Sequence, residues 1–359
     1  MFDYFTRYKQ HPERNLFGDL MPWILIFAVL CTAGVAGIRF YRNVMRPNVN
    51  LHGQAQTYLY IPTGAGFETL TRILSKQDLV KNLASFEWLA IRKHYDTHVH
   101  PGRYRITAGM SNNMLINQLR SGKQEMVRVT FQSARTNAEL AGKIGKHLET
   151  DSAALIRLFN NTDYLGRYAL TPATLLVIFI PNTYEFVWNT SGDQLFERMV
   201  KEYNHFWTTE RKAKASALNL TRQEVVTLAS ILEKETNKND EKPVIAGVYL
   251  NRLRKKMPLQ ADPTVIYAWN DYSIKRVLNK HTEIKSVYNT YLHTGLPPGP
   301  ICIPSVASVD AVLNHQEHRY LYFCAREDLS GYHNFAATLA QHNANAKKYQ
   351  KELNNRHIK

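Results

Sequence analysis

Cysteine is scarce: three residues in a chain of 359, which excludes a disulfide-built scaffold. Cys31 falls in an apolar run, leaving Cys302 and Cys324 as the pair that an internal disulfide would have to join, and nothing in the sequence supports that pairing. Proline is sparse at 14, and with aromatics at 11% the composition is not that of a disordered polypeptide. Acidic residues are outnumbered, 30 Asp+Glu against 45 Lys+Arg, for a net charge of +15. An excess of this size points to an anionic partner such as nucleic acid, anionic lipid or an acidic polymer, without choosing among them. The common catalytic signatures are missing: there is no Walker loop, no G-x-S-x-G, no S-x-x-K and no H-E-x-x-H. Gly64-Ala65-Gly66 follows a strand-like run, but Thr69 stands where a dinucleotide fingerprint needs its third small residue. His315 and His318 have no obvious third ligand, so no metal site is expected.

What the chain does contain begins with residues 20–38, a run of 19 without a charge. Roughly 20 apolar residues span a bilayer core, and Trp23 and Tyr41 sit where interfacial aromatics belong. A cleaved signal peptide has an apolar core of only about 7–15 residues, and no small-x-small site precedes Arg39, so a retained single-pass anchor over 20–40 is expected. Arg7, Lys9 and Arg14 precede the span, while Arg39, Arg42 and Arg46 follow it. The flanking charges therefore leave its orientation open.

Beyond a cytoplasmic or external N-terminal stretch (1–19) and the anchor, residues 41–56 read as a polar linker. Residues 57–125 alternate strand and helix patterns (TYLYIP, a helix with Leu70, Ile73 and Leu74, a helix from Leu83, then PGRYRI) and form a small α+β module. Residues 126–215 form an intermediate module with a strand (MVRVTF), a helix from Asn137 and the stretch FIPNTYEF. It ends in a basic amphipathic helix bearing Arg211, Lys212 and Lys214. Residues 216–359 form the last module, and the whole is expected to be of the α+β class.

Thr221-Arg222-Gln223-Glu224 is a capping box, so a helix starts there, with Val225, Leu228, Ala229 and Leu232 as its apolar stripe. At 100° per residue Glu235 falls roughly 60° from the centre of that stripe and Glu233 roughly 100°. Glu235 is thus the carboxylate turned more towards a buried cleft, where desolvation raises a carboxyl pKa towards that of a general acid. On helix geometry alone, EKET reads more readily as a charged helix end with an exposed Glu–Lys pair. Further on stand Gln260-Ala261-Asp262-Pro263-Thr264, Tyr288-Asn289-Thr290-Tyr291 and GLPPGP (295–300). Asp262 before Pro263 reads as a helix N-cap with proline at N1, and GLPPGP as a rigid turn. Together they place polar and aromatic loop groups beside a helix-borne glutamate, as a sugar-binding cleft requires.

These stretches resemble the endolytic murein transglycosylases, a YceG-like family of single-pass envelope enzymes that cut peptidoglycan strands. The match is carried by LASILEKET (228–236), VYLNRL (248–253), LQADPTVIY (259–267), YNTY (288–291), GLPPGPI (295–301), YLYF (320–323) and the terminal HNF…HN (333–343), with PGRYR and PNTYEF earlier. Asn182 stands where the family usually has Asp, and Ser305 where Gly is common. The resemblance implies a LysM-like module near the membrane and a C-terminal catalytic domain outside the cytoplasm, so that the anchor, in the cell inner membrane, runs N-in. It implies Glu235 as the catalytic acid/base, with Glu233 as fallback. Thr236, Gln260, Asp262, Thr264, Tyr288, Asn289, Tyr291 and Pro298 are the expected substrate-binding residues. The partners implied are peptidoglycan glycan strands, the membrane and peptidoglycan synthases, with no cofactor and no nucleic acid. A non-catalytic glycan-binding protein and a membrane-anchored nucleic-acid binder are the competing readings. The second is weakened because the positive charge is spread along the chain and no RNA- or DNA-binding motif occurs.

Overall fold

The computed structural model describes residues 16–356, which divide into two units, one ending at Glu125 and one starting at Met126. The expectations for residues 1–15 and 357–359 lie outside the described residues.

The first unit opens with helix α1 (Leu16–Val44). Its segment Leu20–Val44 is long and apolar enough to cross a membrane, and the most apolar stretch within it is not buried by the protein. The expected polar linker at 41–56 is instead part of the fold. Helix α1 runs on to Val44, and Val44, Val49 and Leu51 are buried. Asn48 fastens the stretch by donating to Asn82 O (2.9 Å) and Asn112 Oδ1 (2.7 Å). Apolar residues two to five apart within a polar stretch are enough to pin it, which its composition concealed.

Strands β1 (Gln56–Ile61) and β2 (Gly102–Thr107) pair antiparallel, Gln56 opposite Thr107 and Ile61 opposite Gly102. Side chains alternate across a strand, so Leu59, Ile61, Tyr104 and Ile106 face one core. Helices α2 (Phe67–Lys76), α3 (Leu83–Arg92) and α4 (Asn112–Arg120) cover that face with Leu70, Leu74, Phe86, Leu89, Leu115 and Leu119. Asn82 and Ser111 cap α3 and α4 through their side-chain oxygens.

In the second unit, β3 (Val127–Phe131) pairs antiparallel with β4 (Asn182–Phe186), the strand formed by PNTYEF. Between them lie α5 (Asn137–Gly145), α6 (Ser152–Phe159), α7 (Thr162–Gly166) and a 3-10 turn at Leu175–Ile178. Then come α8 (Gly192–Phe206), α9 (Thr209–Ala217), α10 (Arg222–Glu235), α11 (Lys242–Arg254), α12 (Asp262–Trp269), α13 (Asn279–Thr282) and α14 (Val306–Leu313). An antiparallel ribbon of β5 (Tyr322–Ala325) and β6 (His333–Ala336) and the long α15 (Leu339–Asn355) complete the chain.

One hydrophobic core runs from Val127 through Phe131, Phe179, Phe196 and Leu228 to Leu313. The boundary read at 215/216 therefore falls inside a single unit, since α10 packs on residues from both sides of it. Gly299, in the GLPPGP turn, shows how closely they meet: a Cβ there would lie 2.0 Å from the carbonyl oxygen of Ala173. Cys302, buried, and Cys324, half-buried, are free thiols.

Candidate active site

Helix α10 starts as its sequence dictates. Thr221 Oγ1 accepts from Glu224 N (3.2 Å), and Glu224 Oε2 accepts from Thr221 N (2.8 Å). All positions from Val225 to Leu232 are buried, so the helix is driven through the core, not merely along it. Its last turn emerges as Glu233, Lys234 and Glu235, all half-buried.

The two glutamates meet opposite environments. Glu233 Oε2 accepts from Ser305 Oγ (2.6 Å), Ser308 Oγ and Lys242 Nζ (3.1 Å). Burial pushes its carboxyl up, but those hydroxyls and the ammonium outweigh burial and hold it below the usual carboxylate range. Glu235 has a buried Oε2 without a hydrogen-bond partner among the described residues. Burial pushes its pKa up to about 7, and the nearby charge of Asp262 adds to the rise. The Tyr249 hydroxyl beside it and the Arg252 guanidinium pull the other way.

Glu235 opens on a cleft of about 390 Å³, lined also by Arg252, Gln260, Asp262, Tyr291, Phe323, Cys324, His333 and His342. Asp262 is not the N-cap that its place before Pro263 suggests. Ala261 holds that position, and Asp262 is the first residue inside α12. Its carboxylate is thereby released from capping and accepts from Tyr291 Oη at 2.5 Å. Burial raises the Asp262 pKa, and the Tyr291 bond opposes that rise.

Arg252, on α11, organises the opposite rim. Its Nη1 donates to Pro258 O (3.2 Å), Leu259 O (2.8 Å) and Gln260 Oε1 (3.2 Å), and its Nε donates to Leu321 O (2.6 Å). Gln260 takes a left-handed backbone (φ +51°) with its N–H bonded to Thr290 O at 3.0 Å, so the arginine clamp secures a strained turn at the cleft edge. The β5–β6 ribbon supplies the far wall. His333 is tied to the buried Glu241 twice, through its N–H (2.8 Å to Oε1) and through Nδ1 (2.7 Å to Oε2). The His342 ring stacks on Tyr322, and burial lowers its pKa.

Of the residues singled out in the sequence, Glu235, Gln260, Asp262 and Tyr291 are brought together at the cleft. The others support the surrounding loops. Thr236 Oγ1 accepts from Lys238 N (3.0 Å). Thr264 is buried, donating to Ala261 O (2.7 Å) and meeting Thr290 Oγ1 at 2.8 Å. Asn289 is buried, donating to Thr282 O and Ile284 O (2.8 Å each) and accepting from Tyr291 N (3.0 Å), which sets the tyrosine's course. The Tyr288 ring packs on Tyr267 at 4.7 Å, and Pro298 is exposed. Arg252, Tyr249, His333, His342 and Glu241 were not singled out. The first two lie in VYLNRL and the two histidines in HNF…HN, and no periodicity or spacing connects those stretches to α10.

Fold and cleft together define an α+β protein with a polar cleft onto which one carboxyl opens, its pKa raised to about 7. The chain belongs to the YceG-like family, whose sequence profile matches residues 59–348. It is 29% identical over 331 residues to the endolytic murein transglycosylase of Bacillus subtilis, covering 88% of this chain and 91% of that one. It is 27% identical over 341 residues to the endolytic murein transglycosylase of Streptococcus pneumoniae, covering 85% of this chain and 60% of the relative. The crystal structure of a yceG-like protein from Listeria monocytogenes is similar, with a TM-score of 0.54 at 26% identity, covering 81% of this chain and 98% of that one.

Proposed function

We propose that the chain is an endolytic murein transglycosylase that works with Glu235 as its acid and base in turn. The observation that carries this reading is the buried, unpartnered Oε2 of Glu235 in a polar cleft, on a group whose pKa is raised to about 7. Ordinary glycosidases use two carboxyl groups. A transglycosylase can manage with one because the substrate supplies the nucleophile. Protonated Glu235 donates to the glycosidic oxygen between N-acetylmuramic acid and N-acetylglucosamine, and the C1–O bond breaks as an oxocarbenium-like sugar forms. The carboxylate left on Glu235 then takes the proton of the muramic C6 hydroxyl, whose oxygen closes on C1. The product ends in a 1,6-anhydro sugar, no water is consumed, and Glu235 recovers its proton. Intramolecular attack gains from proximity, and a pKa near the working pH suits a group used in both states.

Asp262, oriented by Tyr291, raises the Glu235 pKa and faces the developing positive charge; Gln260 offers an amide to sugar hydroxyls. The first unit serves as a LysM-like glycan-binding module, and α1 as a single-pass anchor in the inner membrane with the catalytic unit outside the cytoplasm. Acting on nascent strands there, beside peptidoglycan synthases, the enzyme would end their elongation.

The test uses the full chain in detergent, wild type and Glu235→Gln, with uncrosslinked glycan strands read by mass spectrometry. Internal cuts ending in a sugar one water lighter than a hydrolysis product, made by wild type alone, are expected. Ends carrying the full water would replace transglycosylation with hydrolysis. Strands bound but uncut would leave a glycan-binding protein.

A further inference from the structure

A second cavity, of about 200 Å³, lies against the other side of the α12 start. Asp262 lines the cleft, while Pro263, the next residue, lines this cavity. Lys234, between the two glutamates of α10, reaches into it, and Arg135 does so from the segment before α5. Ile266, Tyr267, Ile274 and Ile301 give the apolar part of its walls.

The two cations are its distinguishing chemistry. The Arg135 guanidinium lies 4.2 Å from the centroid of the Tyr272 ring, a stacking that orients the planar fork while leaving its N–H donors available. Among the described residues neither Arg135 nor Lys234 forms an ion pair, because the nearby carboxylates are engaged elsewhere. Glu139 is held by Lys143 at 2.8 Å and by the Arg135 backbone N–H, and Glu233 by Lys242, Ser305 and Ser308. Two cations without an ion-pair partner among the described residues, set beside apolar side chains, suit a carboxylate carried on a short aliphatic stem. A neutral sugar would leave both charges unanswered, and a polyphosphate would find no use for the isoleucines.

We propose that this cavity is a subsite for the carboxylate-bearing peptide that murein glycan carries on its muramic acid. The strand is then read twice, by its sugars in the cleft and by its peptide across the first turn of α12. This rests on the murein-cutting function proposed above.

The test is binding, without cleavage, to full-length Glu235→Gln in detergent. The probes are N-acetylmuramyl-L-alanyl-D-glutamate and its diamide, titrated by calorimetry. The dicarboxylate is expected to bind about tenfold more tightly than the diamide, the weight of one charge-assisted contact. Adding Arg135→Gln, which leaves α10 untouched, should abolish most of that preference, and Arg135→Lys should keep part of it. Equal affinity for the two probes, or a preference that survives Arg135→Gln with Lys234→Gln, would overturn the subsite. Strand cutting by wild type is scored separately, so loss of the functional reading and loss of the subsite are told apart.

Discussion

Glu233 and Glu235 stand two residues apart on one helix, and their surroundings push their carboxyl pKa values in opposite directions. Ser305, Ser308 and Lys242 keep Glu233 ionised, whereas burial beside Asp262 brings Glu235 to a pKa of about 7. The same local sequence thus supplies one carboxyl favoured as an anion and one whose proton is held more tightly, a division that depends on neighbours far away in the chain.

Replacing Glu235 by Gln should keep the fold and reduce strand cleavage by roughly 10³-fold or more, the usual weight of a positioned acid–base group. Product counting by chromatography checks this. Near-normal turnover would remove Glu235 from the mechanism.

Glu233→Gln should act on stability instead. The Lys242 side chain is 5% exposed, and removing its counter-charge leaves a buried ammonium uncompensated. The expected cost is roughly 3 kcal/mol, seen as a lower denaturant midpoint. At temperatures where the variant stays folded, the alkaline limb of its pH–rate profile should be unchanged.

The pH dependence of kcat/KM should fall on the alkaline side near pH 7, as Glu235 loses its proton. The Asp262 charge helps to hold that proton, so Asp262→Asn should move the limb to lower pH. A limb that moves up or stays in place would contradict the coupling.

Stability carries the same signature. The folded Glu235 carboxyl binds its proton more tightly than the unfolded one, so its contribution is intact below about pH 4.5 and is lost as pH rises through about 7. Glu235→Gln should therefore be more stable than wild type at pH 8 by roughly 2 kcal/mol, discounted for the partial exposure of the group. The gap should close by pH 4, which thermal melts at both values would show.

Arg252→Lys should impair the cleft even though the charge is kept. A lysine cannot reproduce the fork by which Nη1 holds Pro258 O, Leu259 O and Gln260 Oε1 while Nε holds Leu321 O. The expected result is a raised KM and a loss of about 2 kcal/mol in stability.

Local chemistry was largely legible in the sequence. The capping box at Thr221 and the strand in MVRVTF follow from rules that act within a few residues. The helical wheel sets Glu235 nearer the apolar stripe than Glu233, but helix geometry alone leaves EKET more readily an exposed charged end. The reading failed where a partner is distant or a side chain has two uses. Asp262 looked like a cap because Asp-Pro commonly is one, yet Tyr291, 29 residues on, takes its carboxylate into the cleft. Asn289 and Thr264 looked like sugar ligands because they are polar, but they are buried and spend their hydrogen bonds on the backbone that positions Tyr291 and Asp262. The Glu241–His333 pair joins positions 92 residues apart, and no periodicity reaches that far.

The continuity of α1 into the first unit has a mechanical consequence. The uncharged run 20–38 makes about 28 Å of helix, close to a hydrocarbon layer of about 30 Å. Arg39 and Arg42 then carry the same helix on to Val44, which is buried, and the Asn43 carbonyl accepts from Asn112 Nδ2 at 2.8 Å. If α1 crosses a membrane, no slack tether separates it from the first unit, and any tilt of the helix would turn that ribbon-and-helix unit with it, as a lever tips its load.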